Sequence, residues 1–198
     1  SRVTPPSDDA PAVCVLDTGV TRGHPLLEDS IEATDCQSCD PAWGVHDHHG
    51  HGTEMAGLAL YGDLAPVLDG THKIILRHRL ESVKILPPNG HPANPPDLYG
   101  AVTAEAASRA EIQAPDRRRT FSMSIAATDE RDRGQPTSWS AAVDALSAGR
   151  SFNSSTKGLE YIDEGVASAR RLFVLCAGNI DEAALAPEHL DRSDTDPI

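Results

Sequence analysis

The sequence lacks any apolar run of about 18 residues, and its basic residues are outnumbered by acidic ones. Without such a run, no membrane-spanning helix is expected. It has 17 lysines and arginines and 30 aspartates and glutamates, and the resulting net charge of −13 makes nucleic acids and anionic membranes poor partners. The phosphate-binding pattern Gly-x-Gly-x-x-Gly is also missing. What remains is a chain of 198 residues, 39% of them hydrophobic, which can bury a core as one domain.

Cysteine is scarce too, with four in the chain. Cys14 and Cys176 fall in apolar stretches that predict strands, where a thiol behaves as a small hydrophobic side chain. They could form a disulfide only if those two strands were adjacent. So few cysteines in a chain of this size favour a reducing compartment, and a cytoplasmic location is slightly favoured over secretion.

A second pair, Cys36 and Cys39, forms a Cys-x-x-Cys in a polar segment. Its simplest interpretations are a solvent-exposed loop with reduced thiols and a local disulfide. Because two thiolates and two imidazoles can bind zinc, a metal-dependent hydrolase is a further hypothesis. Its donors would come from Cys36, Cys39, His46, His48 and His49.

Apolar runs and helical periodicity alternate along the chain. Strands are predicted at residues 13–17, 83–86, 120–125 and 172–177, and helices at 51–60, 97–112, 138–147 and 159–170. For residues 74–79 the pattern leaves open whether they form another strand or the end of a surface excursion. The alternation predicts an α/β fold with a parallel, helix-flanked sheet.

Two residues within these elements predict a catalytic pair. Asp17 follows the apolar run 13–16 at the carboxyl end of a strand, where α/β sheets place functional side chains. His51 opens a predicted helix 34 residues later, between two glycines, Gly50 and Gly52, that are expected to let the backbone bend tightly. A buried carboxylate that accepts the Nδ1 proton of a histidine fixes the tautomer and stabilises the imidazolium. Asp17 is therefore the candidate orienting acid and His51 the candidate general base.

Four blocks of sequence follow one another in order. They read Val-Cys-Val-Leu-Asp-Thr-Gly-Val at 13–20, His-Gly-Thr-Glu-Met-Ala-Gly at 51–57, Phe-Ser-Met-Ser-Ile-Ala-Ala at 121–127 and Leu-Phe-Val-Leu-Cys-Ala-Gly-Asn at 172–179. Together they resemble the signature blocks of the subtilisin-like serine peptidases. The resemblance implies a three-layer α/β/α sandwich with a mainly parallel sheet, and endopeptidase chemistry by acyl transfer through a serine.

The resemblance also implies roles for residues of the third and fourth blocks. Ser124, Ile125 and Ala126 would present their backbone to an extended peptide substrate, as an added strand does. The family usually carries glycines where Ala126 and Ala127 stand, which leaves the depth of the first specificity pocket open. Asn179 would donate its side-chain amide to the oxyanion of the tetrahedral intermediate.

The family's nucleophile block, Gly-Thr-Ser-x-Ala, has no counterpart in this sequence, where the two Gly-Thr pairs are followed by Glu54 and His72. We therefore expect residues 1–198 to be one partial peptidase domain, incomplete at the carboxyl end and inactive alone. No cofactor or metal is expected, and the expected partner is a peptide or protein substrate. A non-catalytic peptide-binding pseudopeptidase is the main alternative, ahead of the zinc hydrolase.

Overall fold

A five-stranded parallel sheet forms the centre of the fold. The computed structural model describes residues 2–127, 135–153, 155, 158–161 and 170–178. The strands of this part of the chain are β1 (Val3–Thr4), β2 (Ala12–Asp17), β3 (Cys36–Ser38), β4 (Ile74–Ile75), β5 (Arg79–Lys84), β6 (Arg119–Met123), β7 (Arg150–Asn153), β8 (Gly158–Tyr161) and β9 (Leu172–Leu175). Its helices are α1 (His51–Tyr61), α2 (Leu64–Asp69), α3 (Tyr99–Gln113) and α4 (Ser138–Ser147).

The strand order of the large sheet is β3-β5-β2-β6-β9, and every neighbouring pair is parallel. Strand β2 lies in the middle, and five of its six residues are buried, as expected for the central strand of a sheet covered on both faces. Two short pairs accompany this sheet, β1 with β4 and β7 with β8. Since β6 separates β2 from β9, Cys14 and Cys176 do not meet, and all four thiols are free.

Two hydrophobic cores lie on opposite faces of the sheet. Alternate residues of β2 divide between them, with Cys14 and Leu16 in one and Val15 in the other. The first core receives alanines of α3 and Val143 of α4, and the second receives Ala56 and Leu60 of α1. Helices therefore cover both faces, and the α/β fold predicted from the sequence is confirmed. None of the helices in the described ranges is long and apolar enough to cross a membrane.

Most predicted elements occur with ends shifted by a few residues. Helix α4 has the predicted bounds, because the Thr137 hydroxyl accepts a hydrogen bond from the Ser140 amide and the Ser140 hydroxyl accepts one from the Thr137 amide. Strand β5 begins earlier than predicted, at Arg79, since its charged residues are buried. The segment 74–79, left open by the sequence, contributes the short strand β4.

Two sequence-based assignments are corrected. The helix predicted at 159–170 is wrong at its start, where β8 pairs antiparallel with β7 and Leu159 lies opposite Phe152; residues 162–169 lie outside the described part. The solvent-loop and disulfide interpretations of Cys36 are also wrong. Its segment is the edge strand β3, paired with β5, and Cys36 is buried with a free thiol. In both cases backbone pairing overrides the local pattern, with the neighbouring strand β7 for β8 and with the distant strand β5 for β3.

Buried charges join α3 to the amino-terminal ends of β5 and β6. Glu81, 2% exposed, accepts hydrogen bonds from Arg117 at 2.8 Å and from Arg119 at 2.8 and 2.9 Å. Arg117 also donates to the buried Asp35 at 2.7 Å, and Arg119 donates to the carbonyls of Ala110 and Ala114 at the end of α3. These contacts fix where α3 ends against the sheet.

We predict that Glu81→Ala destabilises the fold by about 3–5 kcal/mol, because it leaves two guanidinium groups without their shared carboxylate. Urea denaturation followed by circular dichroism measures the change. The matched control is Glu105→Ala, which removes the exposed Glu105–Arg109 pair of α3 and should cost less than about 0.5 kcal/mol. Equal losses in the two variants would contradict a structural role for the buried cluster.

Candidate active site

Asp17 and His51 meet at the carboxyl edge of the sheet. Asp17 is the last residue of β2 and is fully buried, while His51 is the first residue of α1 and its side chain is 44% exposed. The Nδ1 atom of His51 lies 2.8 Å from Oδ1 and 2.9 Å from Oδ2 of Asp17. The Thr18 amide donates to the same carboxylate at 2.7 Å. These distances lie within the hydrogen-bonding range expected for such a pair.

The geometry determines which ring nitrogen is available for chemistry. An ionised carboxylate only accepts hydrogen bonds, so Nδ1 of His51 carries the proton that faces Asp17. In the neutral ring Nε2 is then an acceptor. A half-exposed imidazole whose Nδ1 is held by a buried acid can act as a general base through Nε2.

Asp47 organises the loop that delivers His51, although sequence analysis assigned it no role. Its carboxylate accepts hydrogen bonds from the amides of His49, Gly50 and Thr53 at 2.9 Å each, and from the hydroxyls of Thr53 at 2.7 Å and Thr18 at 2.9 Å. Burial by itself raises the pKa of Asp47, but the hydrogen bonds from Thr53, Gly50 and Thr18 outweigh it, so the pKa is lowered. The signal in the sequence was an acidic residue a few positions before a helix start.

The two glycines beside His51 serve different purposes. Gly50 has φ +92°, a left-handed conformation that supports the expected tight bend. Gly52 is helical, and its role is close contact: a Cβ atom there would stand 2.1 Å from the carbonyl oxygen of Gly19. The Gly52 amide also donates to Thr18 Oγ1 at 3.0 Å. The absence of a side chain at 52 lets the first turn of α1 lie directly on the turn after β2.

The residues predicted to bind substrate line the same depression as His51. It has a volume of about 390 Å³ and is walled by Thr18, His49, His51, Leu86, Pro87, Ser124, Ile125 and Ala126. Strand β6 ends at Met123, so residues 124–126 continue past the sheet as irregular backbone on one side of the depression. Leu86 and Pro87, which follow β5, form the other side. The structure therefore brings Ser124, Ile125 and Ala126 next to the Asp17–His51 pair.

Two mainly apolar cavities flank residues 125 and 126. One, of about 260 Å³, lies between the segment after β5 and the helices α3 and α4, with Tyr99, Val102 and Trp139 in its wall. The other, of about 280 Å³, includes Val143 of α4, the last residue of β9 and residues 176–178 that follow it. Asn179, the candidate oxyanion donor, lies outside the described residues.

The donors considered for zinc do not come together. Cys36 Sγ donates to the carbonyl of Glu32 at 3.7 Å and Cys39 Sγ to that of Val102 at 3.8 Å. Burial raises the pKa of Cys36 to about 11 and that of Cys39 to about 12, which opposes the thiolate form that zinc needs. Within the described ranges, no group of three or more His, Cys, Asp or Glu side chains could hold a metal ion.

The fold and site define an α/β protein that presents a buried aspartate and a half-exposed histidine at the carboxyl edge of a parallel sheet, the arrangement of a hydrolase acid–base pair. A family model described as the subtilase family matches residues 8–196, and the chain belongs to that family. Searches of curated proteins and of solved structures found no significant match. At the level of the family, the chain is a subtilisin-like serine peptidase with the predicted fold.

We predict that Gly52→Ala moves the first turn of α1 and destabilises the protein by about 1–3 kcal/mol, because the new Cβ overlaps the Gly19 carbonyl. Gly57→Ala is the control on the same helix. Among the described residues, a Cβ at 57 meets only Leu64 Cδ1 at 3.8 Å, so that variant should be neutral or gain up to about 1 kcal/mol of helix propensity. Urea unfolding measures both changes, and similar stability of the two variants would argue against the close contact.

Proposed function

We propose that the chain supplies the acid, the base and the substrate-binding backbone of a subtilisin-like serine endopeptidase. The observation that carries this proposal is the Asp17–His51 pair, with Nδ1 held at 2.8 Å and Nε2 left as the acceptor beside a depression. The family match over residues 8–196 supports the same reaction class.

In the proposed reaction, a serine hydroxyl next to Nε2 of His51 gives up its proton as its oxygen bonds to the substrate carbonyl carbon. Asp17 stabilises the imidazolium that forms. His51 then passes the proton to the leaving amine, and the peptide bond breaks to give an acyl-enzyme. Water repeats the sequence, with its proton going to His51 and then back to the serine as the acid product leaves. Asn179 is the proposed side-chain donor to the oxyanion of both tetrahedral intermediates.

The substrate is proposed to bind as an extended peptide along residues 124–126. Backbone groups beyond the end of β6 would pair with it as with an added strand. The two apolar cavities on either side of Ile125 and Ala126 would receive apolar side chains of the peptide. The net charge of −13 is compatible with peptide substrates and unfavourable for polyanions.

The nucleophile is proposed to be a serine outside the printed sequence. The sequence contains no Gly-Thr-Ser-x-Ala, and Ser154 and Ser155 precede the fourth block in the sequence rather than follow it. In this proposal the isolated chain holds an oriented base with no nucleophile to activate. That absence also favours the alternative of a non-catalytic peptide-binding module, which the first experiment below separates.

We predict that a fluorophosphonate probe labels the full-length parent protein at one serine and leaves the 198-residue chain unlabelled. Mass spectrometry identifies the modified residue. His51→Ala in the full-length protein should abolish labelling, because the serine then has no base. If the full-length protein also stays unlabelled while it binds peptides, the chain belongs to a binding module. Labelling of the isolated chain that disappears in His51→Ala would show an active serine within it.

We further predict that Asn179→Ala in the full-length protein lowers kcat by roughly 10²–10³ with little change in KM, the magnitude known for loss of such a donor in a subtilisin. The amide would meet charge that is present mainly in the transition state. Steady-state kinetics on a chromogenic peptide separate the two constants. A raised KM at constant kcat would instead make Asn179 a ground-state binding residue.

A further inference from the structure

Lys84 is a buried cation beside the Asp17–His51 pair that the proposed reaction does not use. It is the last residue of β5 and only 1% exposed. In the sheet register its partner on β2 is Asp17. Partners on neighbouring parallel strands project to the same face, and the strands lie about 4.8 Å apart. The side chains of Lys84 and Asp17 therefore leave neighbouring backbone positions on the face of the sheet that α1 covers.

The Lys84 ammonium binds the loop before His51 and forms no ion pair with Asp17. Its Nζ donates to the carbonyl of His46 at 2.8 Å and to that of Trp43 at 3.4 Å. No carboxylate within the described ranges lies within 4 Å of it. His46 is followed directly by Asp47, whose carboxylate holds the start of α1. Lys84 thus tethers the segment that fixes the position of His51.

Besides holding the loop, the Lys84 ammonium changes the balance of charge around His51. Two buried carboxylates, Asp17 from β2 and Asp47 from the loop, carry negative charge near the start of α1. Lys84 from β5 is the buried positive charge that opposes them; burial lowers the pKa of Lys84, and the attraction of Asp47 counteracts part of that shift. The remaining titratable side chains on the loop and on the first turn of α1 are exposed: His46, His48, His49 and Glu54. A general base must be neutral to accept a proton. The positive charge of Lys84, near the carboxylates of Asp17 and Asp47, therefore favours the state in which His51 can act as a base.

We propose that Lys84 is a positioning residue for His51: its ammonium tethers the loop through the His46 carbonyl and offsets the second buried carboxylate. The catalytic meaning of this role rests on the proposed function. The charge balance itself is a property of the described chain and is measurable without turnover.

The test is a pH titration of the His51 ring by NMR on the ¹⁵N-histidine-labelled chain, with the resonance assigned from His51→Gln. Lys84→Met keeps the length of the side chain and removes its charge, and should raise the titration midpoint of His51 by about half a unit to one unit. Lys84→Gln removes the same charge but keeps an N–H donor for the loop, and should raise it similarly. Lys73→Met is the matched control, because Lys73 is exposed and its charge is screened, so the midpoint should not change.

An unchanged or lowered midpoint in the folded Lys84 variants would overturn the proposal, and so would an equal rise in Lys73→Met. If Lys84→Met does not fold, Lys84→Gln decides. If neither variant folds, the residue has a purely structural role and the proposal is withdrawn. The probe experiment on the full-length protein tests the peptidase assignment independently, so the two failures are distinguishable.

Discussion

The contact between the first turn of α1 and the turn that ends β2 determines the geometry of the whole candidate site. Gly52 lies against the Gly19 carbonyl, and Thr18 bridges the two segments by accepting from the Gly52 amide and donating to Asp47. Any side chain at position 52 would separate the helix from the strand end. Because Asp17 and His51 sit on either side of this contact, their distance follows from backbone packing and not from side-chain flexibility. A pair held in this way needs little reorganisation when a proton moves.

The central position of β2 explains why the depression forms where it does. Its neighbours are β5 and β6, and both strands end at the same edge of the sheet as Asp17. The segment after β5 supplies Leu86 and Pro87, and the segment after β6 supplies residues 124–126. Parallel strands of an α/β sheet place their carboxyl ends together, so the acid necessarily lies between two walls of irregular backbone. Helix α1, in the layer that covers this face of the sheet, supplies the base His51 at its first position.

The sequence was sufficient for the elements whose pattern is local. Strand β2 and helices α1, α3 and α4 could be predicted from apolar runs, periodicity and caps, and Asp17 and His51 from their place at the ends of such elements. Strand β3 and the pairing of β8 could not, because a short segment without a strand pattern becomes a strand only through its partner, which is the distant β5 for β3 and the neighbouring β7 for β8. Asp47 and Lys84 were missed for a related reason. A lone aspartate in a histidine-rich loop and a lone lysine in a strand are usually exposed, and only burial in the fold gives them a role.

Strand β5 has a composition that is unusual for the interior of a sheet. All six of its residues are buried, yet Arg79, Glu81, Ser82 and Lys84 are polar. A slip of one position would take Glu81 from its arginines to the opposite face and leave the Lys84 ammonium without its carbonyls. Apolar strands tolerate such slips more easily, since one hydrophobic side chain replaces another. In β5 the alignment of the strand is therefore specified by charge, so a mispaired chain, whether within the molecule or between two molecules, would bury unmatched ions. The buried polar residues of β5 that position the site therefore also specify the alignment of the sheet during folding.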